Sequence, residues 1–216
     1  MGNLNLVTII IIIANIIISN KGFTDYDFFE KYKFHVGGIQ RGEKIRLFSA
    51  GFLHVDMSHL LFNMLTLYFF AGTVISYVGT TKFLIIYLVS LLFGNLLSYY
   101  FNKNEYHYSA VGASGAVTGV LYAAILLQPD MSLMMFFIPI PIPAYIFGIG
   151  YLLYSIYGMK NRIGNIGHDA HFGGAIGGYA ITLILMPWLF RTNLLMIGLL
   201  ALPIIILFIL KKSGKM

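Results

Sequence analysis

Apolar residues run along this chain in long blocks separated by short polar stretches, a pattern that predicts membrane-spanning helices. A span needs about 20 apolar residues, fewer where interfacial anchors flank it. Seven blocks meet that description: Leu4–Ile18, Leu53–Val78, Phe83–Phe101, Ala113–Leu127, Leu133–Tyr157, Ala170–Phe190 and Leu194–Leu210. The first lacks a charged segment before it and an Ala-x-Ala cleavage site after it, since Ser19-Asn20-Lys21 follows. It is therefore predicted to be a retained helix and not a signal peptide. Pro139, Pro141 and Pro143 alternate with isoleucines in the fifth block. Such alternation cannot continue a helix, so an extended cap is expected to lead into a helix near Ala144.

The connections are short except for Ser19 to Phe52, which mixes Phe23, Tyr26, Phe28, Phe29, Tyr32 and Phe34 with charged residues. Two readings of it stand side by side. Aromatics among lysines suit an element lying at the headgroup level; a surface loop with a small core of its own accounts for the same residues.

Composition narrows the class further. Hydrophobic residues make up 58% of the 216 and charged ones 10%, with a mean hydropathy of +0.81. A soluble domain carries about a quarter charged residues. The expectation is an all-α polytopic membrane protein forming one domain over residues 1–216, with a core over about 4–190 and an extra C-terminal helix over about 194–210. The net charge of +6 comes without a dense basic stretch interleaved with exposed aromatics, so no nucleic-acid partner is expected. The absence of cysteine excludes disulfides and thiol catalysis.

Three polar constellations interrupt the apolar blocks. Gly112-Ala113-Ser114-Gly115 opens the fourth block. Gly112 permits unusual backbone angles and Gly115 lets another chain approach closely, while the free N–H groups of a helix start can meet a developing oxyanion. Ser114 is thus either a nucleophile or an N-cap, and Gly-Ala-Ser-Gly is also a helix-packing motif. His171 begins the sixth block, with Gly174 and Gly178 four residues apart on one face, a spacing that admits a neighbouring helix. If that neighbour carries Ser114, the imidazole can take the hydroxyl proton; otherwise the histidine caps its own helix. His59 and Asn63, at i and i+4, share one helix face. Both can donate to an oxyanion, or they serve as interhelical glue.

A metal site built from His54, His59, His168, Asp169 and His171 is disfavoured. The His-Glu-x-x-His pattern is missing, and His168 and His171 lack its i, i+4 spacing. Neither a metal nor another cofactor is expected.

Taken together, these elements resemble the rhomboid family of intramembrane serine proteases. Arg46-Leu47-Phe48-Ser49-Ala50-Gly51-Phe52-Leu53-His54, running on to His59 and Asn63-Met64, is similar to the family's second-helix signature. Gly112-Ala113-Ser114-Gly115 resembles its nucleophile motif, and Ala170-His171 with Gly174 and Gly178 its sixth-helix motif. The resemblance covers about Gly42 to Gly178. It implies a six-helix rhomboid-like core with a cavity open to one side, plus a seventh C-terminal transmembrane helix. It also implies a Ser114–His171 dyad without an aspartate, and oxyanion stabilisation by Asn63, His59 and the Ser114 backbone N–H. The expected partners are transmembrane protein substrates and the lipid bilayer. Three positions depart from the family's habit. Ile45 stands where tryptophan often precedes the loop arginine. Thr118 stands where a tyrosine often stacks on the histidine, and Ile75 where a glutamate often precedes Gly79.

The expected setting is the plasma membrane of a prokaryote, with the site opening to the outer side. The basic residues count against that orientation. It leaves twelve Lys and Arg outside and only Lys82 and Arg191 inside, whereas the positive-inside rule favours the reverse. Three functions compete: an intramembrane serine endopeptidase, a non-catalytic rhomboid-like binder of transmembrane helices, and a transporter using the histidines. The last ordinarily shows an internal repeat, and none is visible.

Overall fold

A computed structural model describes residues 5–135, 138–161, 163 and 167–215. In chain order its elements are α1 (Leu6–Thr24), α2 (Tyr26–Tyr32), β1 (Phe34–His35), α3 (Val36–Gln40), α4 (Arg46–Ser49), α5 (Met57–Val78), α6 (Thr80–Asn102), β2 (Ser109–Ala110), α7 (Ser114–Leu127), β3 (Ser132–Met135), β4 (Ile138–Pro143), α8 (Ala144–Asn161), α9 (His168–Leu185), α10 (Leu189–Thr192) and α11 (Leu194–Lys212). The chain is an all-α polytopic membrane protein. Each of the seven apolar blocks contains a helix, and α1, α5, α6 and α11 are long and apolar enough to cross a membrane by length and composition.

Several boundaries differ from expectation, each for a local reason. Leu4 lies outside the described residues. α1 runs six residues beyond Ile18, because Ser19 is buried and its hydroxyl donates to the Phe52 carbonyl at 3.0 Å. The helix stops at Asp25, whose carboxylate instead caps α2 by accepting from the Phe28 N–H. The block Leu133–Tyr157 is not one span: its first part folds into the antiparallel β3–β4 hairpin. Proline at every second position of β4 removes the donors a helix needs, and α8 starts at Ala144, just past the last of them. Pro187 ends the sixth block early, so α9 stops at Leu185 and α10 stands apart.

The centre is α6, α7 and α9, which pack on one another more extensively than any other elements. α7 spans about 21 Å by its fourteen residues, short of the roughly 30 Å hydrocarbon thickness, and every residue from Gly115 to Leu127 is buried. A helix that is apolar all round belongs inside a bundle. Close approach depends on glycine. A Cβ at Gly174 would strike the Gly115 carbonyl, one at Gly178 the Gly119 carbonyl, and one at Gly173 the Phe93 carbonyl. Without a hydrophobic drive between helices in lipid, such backbone contact is a main source of association.

The Ser19–Phe52 segment settles into its own small core of Phe34, Val36, Ile39 and Ala50, packed against Tyr99 and Tyr108. β1 pairs with β2, tying it to the loop before α7. Arg46 is buried beneath it. Its guanidinium donates to Glu43 at 2.5 Å and to the carbonyls of Glu30 and Lys33 at 2.7 and 2.9 Å. Those bonds anchor the loop although Ile45 supplies no tryptophan. The Arg46 guanidinium, with Arg41 beside it, also holds the Glu43 carboxyl below its ordinary range.

At the opposite end, α5 and α6 are joined by Gly79 alone, at φ +78°. α11 docks through Asn193, which donates to the Leu126 carbonyl at 2.8 Å, and through its Ile197 carbonyl, which accepts from the Tyr179 hydroxyl at 3.0 Å.

Candidate functional site

Three helix starts and one loop converge at the end of the bundle that carries the β1–β2 pair. Gly112 organises them. Its backbone takes φ +136°, a conformation L side chains rarely adopt, and a Cβ there would lie 2.8 Å from His59 Cε1, 2.9 Å from His59 Nε2 and 3.5 Å from Ser114 Oγ. His59 and Ser114 therefore face each other across a glycine that nothing larger could replace. Ser114 is the one residue of α7 that keeps partial exposure. Its helix continues directly, the Val117 N–H donating to the Ala113 carbonyl at 3.0 Å.

α9 brings His171 to the same level. The Ala170 carbonyl lies 3.1 Å from a Cβ built on Gly115, so the residues beside Ser114 and His171 are in backbone contact. His171 is buried at 7% exposure. Among the described residues, no hydrogen bond joins Ser114 Oγ to His171. The imidazole Nδ1 lies instead 2.6 Å from the Tyr151 hydroxyl of α8, and the two rings stack with planes 25° apart. Asn63 is buried, and one amide hydrogen goes to the His59 carbonyl of its own helix at 3.1 Å. The amide carries a second hydrogen.

Two groups of the site had no assigned part in the sequence reading. Tyr151 is one; its only advance sign is Phe147 at i−4, an aromatic pair on one face of α8. The other is His54, considered there only as a metal ligand. It is fully buried just before α5. The Ser19 hydroxyl spends its proton on the Phe52 carbonyl at 3.0 Å, so at 2.8 Å it accepts from His54 Nδ1–H. That leaves Nε2 as an acceptor for the Ala113 N–H, at 3.4 Å. A neutral imidazole thus pins the loop leading into Ser114, with its ring edge-on to His59 at 4.9 Å. Burial is the main cause that lowers its pKa to about 3, the charge of His59 adding to it.

Asp169 fastens the start of α9. Its carboxylate accepts from Ser98 at 3.0 Å and from the Asn102 amide, and the Tyr108 hydroxyl stands at 3.5 Å. An acidic residue in the first turn also complements the helix dipole. His168 lies beside His171 at 6.4 Å between ring centroids. Gly158 makes room for it, since a Cβ there would strike the His168 ring.

This arrangement offers a hydroxyl, a neighbouring imidazole and donors grouped around a glycine, at the surface-facing end of a buried helix. Comparisons with known proteins place the chain as a whole. The Rhomboid domain family model covers residues 41–188. The mitochondrial rhomboid protein 1 of Saccharomyces cerevisiae is 30% identical over 138 residues, 62% of this chain and 40% of its own. The rhomboid protease GluP of Bacillus subtilis is 33% identical over 143 residues, 65% of this chain and 26% of its own. The mitochondrial RHOMBOID-like protein 12 of Arabidopsis thaliana is 26% identical over 186 residues, covering 76% and 55%. The chain spans about half or less of the length of these relatives. Since mitochondrial proteins stand among them, the expected prokaryotic plasma membrane finds no support there.

Proposed function

The chain belongs to the rhomboid family, and from that premise we propose that it is an intramembrane serine endopeptidase cutting transmembrane segments near the membrane surface. The observation that carries this reading is the exposure pattern of α7: a helix buried along its whole length opens only at Ser114. A structural serine would gain nothing from that opening, whereas a nucleophile needs it. His171 on the adjoining helix start is the base, and Gly112 clears the space between Ser114 and His59.

The chemistry follows from the groups in place. His171 accepts the Ser114 proton as Oγ bonds to the substrate carbonyl carbon. Negative charge collects on the carbonyl oxygen, where the Ser114 backbone N–H, the second Asn63 amide hydrogen and the His59 ring are the nearby donors. Collapse breaks the C–N bond, and the proton on His171 goes to the leaving amine. Water then repeats the sequence on the acyl-serine, releasing the carboxylate and restoring Ser114. A helical substrate hides its carbonyls in i to i−4 bonds, so cleavage requires a segment that unwinds. Substrates are accordingly membrane proteins with Gly or Pro near the cut, and the family resemblance adds a small residue before it. The site opens to the outer side under that resemblance, against the charge count; a cysteine placed at Asn104 and labelled in intact cells reads the orientation.

Labelling by a fluorophosphonate tests the reading. Wild type is expected to label, and Ser114→Ala and His171→Ala are expected to lose labelling and reporter cleavage while staying folded. The double variant should be no worse than either single one, because the two groups act as a unit. Cleavage by purified Ser114→Ala would overturn the assignment and leave the binder of transmembrane helices.

A further inference from the structure

The dyad read above has no carboxylate to orient its histidine, and Thr118 stands where a stacking aromatic would be expected, one turn after Ser114. Yet His171 is not loose. We infer that Tyr151 of α8 is the positioning residue for His171, supplying both a ring against the imidazole and the hydrogen bond that fixes its tautomer; this rests on His171 being the general base.

Geometry supports both halves. The Tyr151 ring lies against His171 with centroids 5.8 Å apart and planes at 25°. Phe147, one turn earlier on α8, backs the tyrosine with planes only 9° apart. The result is a three-ring stack reaching from one helix to the next. Thr118 is what makes it fit. Its small side chain neighbours the Tyr151 hydroxyl, so a tyrosine at position 118 would compete for the same space. The missing ring has been supplied from another helix.

The proton positions follow from the base role given to His171. Thr118 Oγ1 donates to the Ser114 carbonyl at 2.7 Å, which leaves it lone pairs to offer Tyr151. The Tyr151 hydroxyl lies 2.6 Å from His171 Nδ1, a bond that either group can donate; because Nδ1 is engaged there, a base that keeps a lone pair for Ser114 must carry its proton on Nδ1, with Tyr151 accepting it. With the proton held on Nδ1, the Nε2 lone pair is the one free to accept from Ser114, since the partner of one ring nitrogen dictates the state of the other. No proton leaves Tyr151 during the reaction. It acts as a neutral dipole, so its loss should cost less than the roughly 10⁴-fold lost when a triad aspartate is made neutral.

The test uses the full chain in detergent micelles with a transmembrane reporter and ¹⁵N-labelled histidine, His171 being assigned by difference from His171→Ala. Wild type should show the Nδ1–H tautomer. Tyr151→Phe keeps the ring and should lose that preference, with kcat down about tenfold and KM unchanged, a modest share of what general-base catalysis contributes. Tyr151→Ala should fall further, and Thr118→Tyr added to it should recover activity by returning a ring to the histidine. An unchanged tautomer and kcat in Tyr151→Phe would overturn the hydrogen-bonding role, and no recovery in the double variant would overturn the ring role. Should wild type neither cleave nor label, the protease reading fails by itself, and the tautomer comparison still decides the part of Tyr151.

Discussion

α7 and α11 are both apolar helices, and they sit in the molecule in opposite ways. α11 is the most apolar candidate span, with mean hydropathy 2.8, yet only 22% of its window is buried. α7 is five residues shorter and buried from Gly115 to its end. The difference lies in backbone access. Gly115 and Gly119 meet Gly174 and Gly178 of α9 at distances that exclude any side chain, whereas a Cβ at Gly198 of α11 would meet nothing. Apolarity places a helix in the bilayer; small residues in register place it at the centre of the bundle.

Substitutions at matched glycines break the comparison most directly. Gly174→Leu drives a side chain into the Gly115 carbonyl and should separate α7 from α9. Loss above about 4 kcal/mol, the exceptional end of single-residue effects, is expected from reversible unfolding in mixed micelles. A stable, active Gly174→Leu protein would show that the glycine contact is not what holds the centre.

The open end of α7 is sharpened by Asn63, whose spare amide hydrogen is available there. Asn63→Ala should lower kcat by about 10–10³ with little change in KM, as for an interaction made in the transition state. A change confined to thermal stability would return Asn63 to the role of helix glue.

His54 gives a weaker, pH-dependent effect on the loop feeding α7. Its folded pKa of about 3 lies below the ordinary value of 6.5. Between those values the unfolded chain binds a proton that the folded one refuses. Stability therefore holds above about pH 6.5 and declines as pH falls towards 3. Unfolding midpoints measured across that window should flatten in His54→Gln; an identical slope would mean other groups carry the acid sensitivity. Smallest of all, Gly198→Leu in α11 should change stability by no more than about 0.5 kcal/mol, the ordinary range for substitutions away from packed contacts. A large loss there would erase the distinction between the two helices.

Legibility in the sequence followed the range of the interactions involved. Hydropathy is local, so the seven longer helices could be located from the apolar blocks. The positions of Ser114 and His171 at helix starts, and of His59 and Asn63 on one helix face, came from motif spacing in the same way. Boundaries failed where a partner elsewhere satisfied a polar group: Ser19 looked like a stop until Phe52 and His54 bonded it inside α1. Pro139, Pro141 and Pro143 signal the extended cap by their spacing, yet hydropathy alone merges them with α8. Tyr151 was illegible because its role depends on how α8 meets α9, which no local pattern encodes. Thr118 read as a loss for the same reason.

Gly79 is the sole residue between α5 and α6, at positive φ, with open space where a side chain would be. Asn63 lies sixteen residues back along α5, about 24 Å from that joint at 1.5 Å per residue. At such a radius, a displacement of 1 Å corresponds to an angular error of roughly 2.4°, and misplacement on that scale costs a catalytic group about 10²-fold. The angular tolerance of the oxyanion donor proposed at Asn63 is therefore set at the far face of the bundle, by one residue that touches nothing in the site.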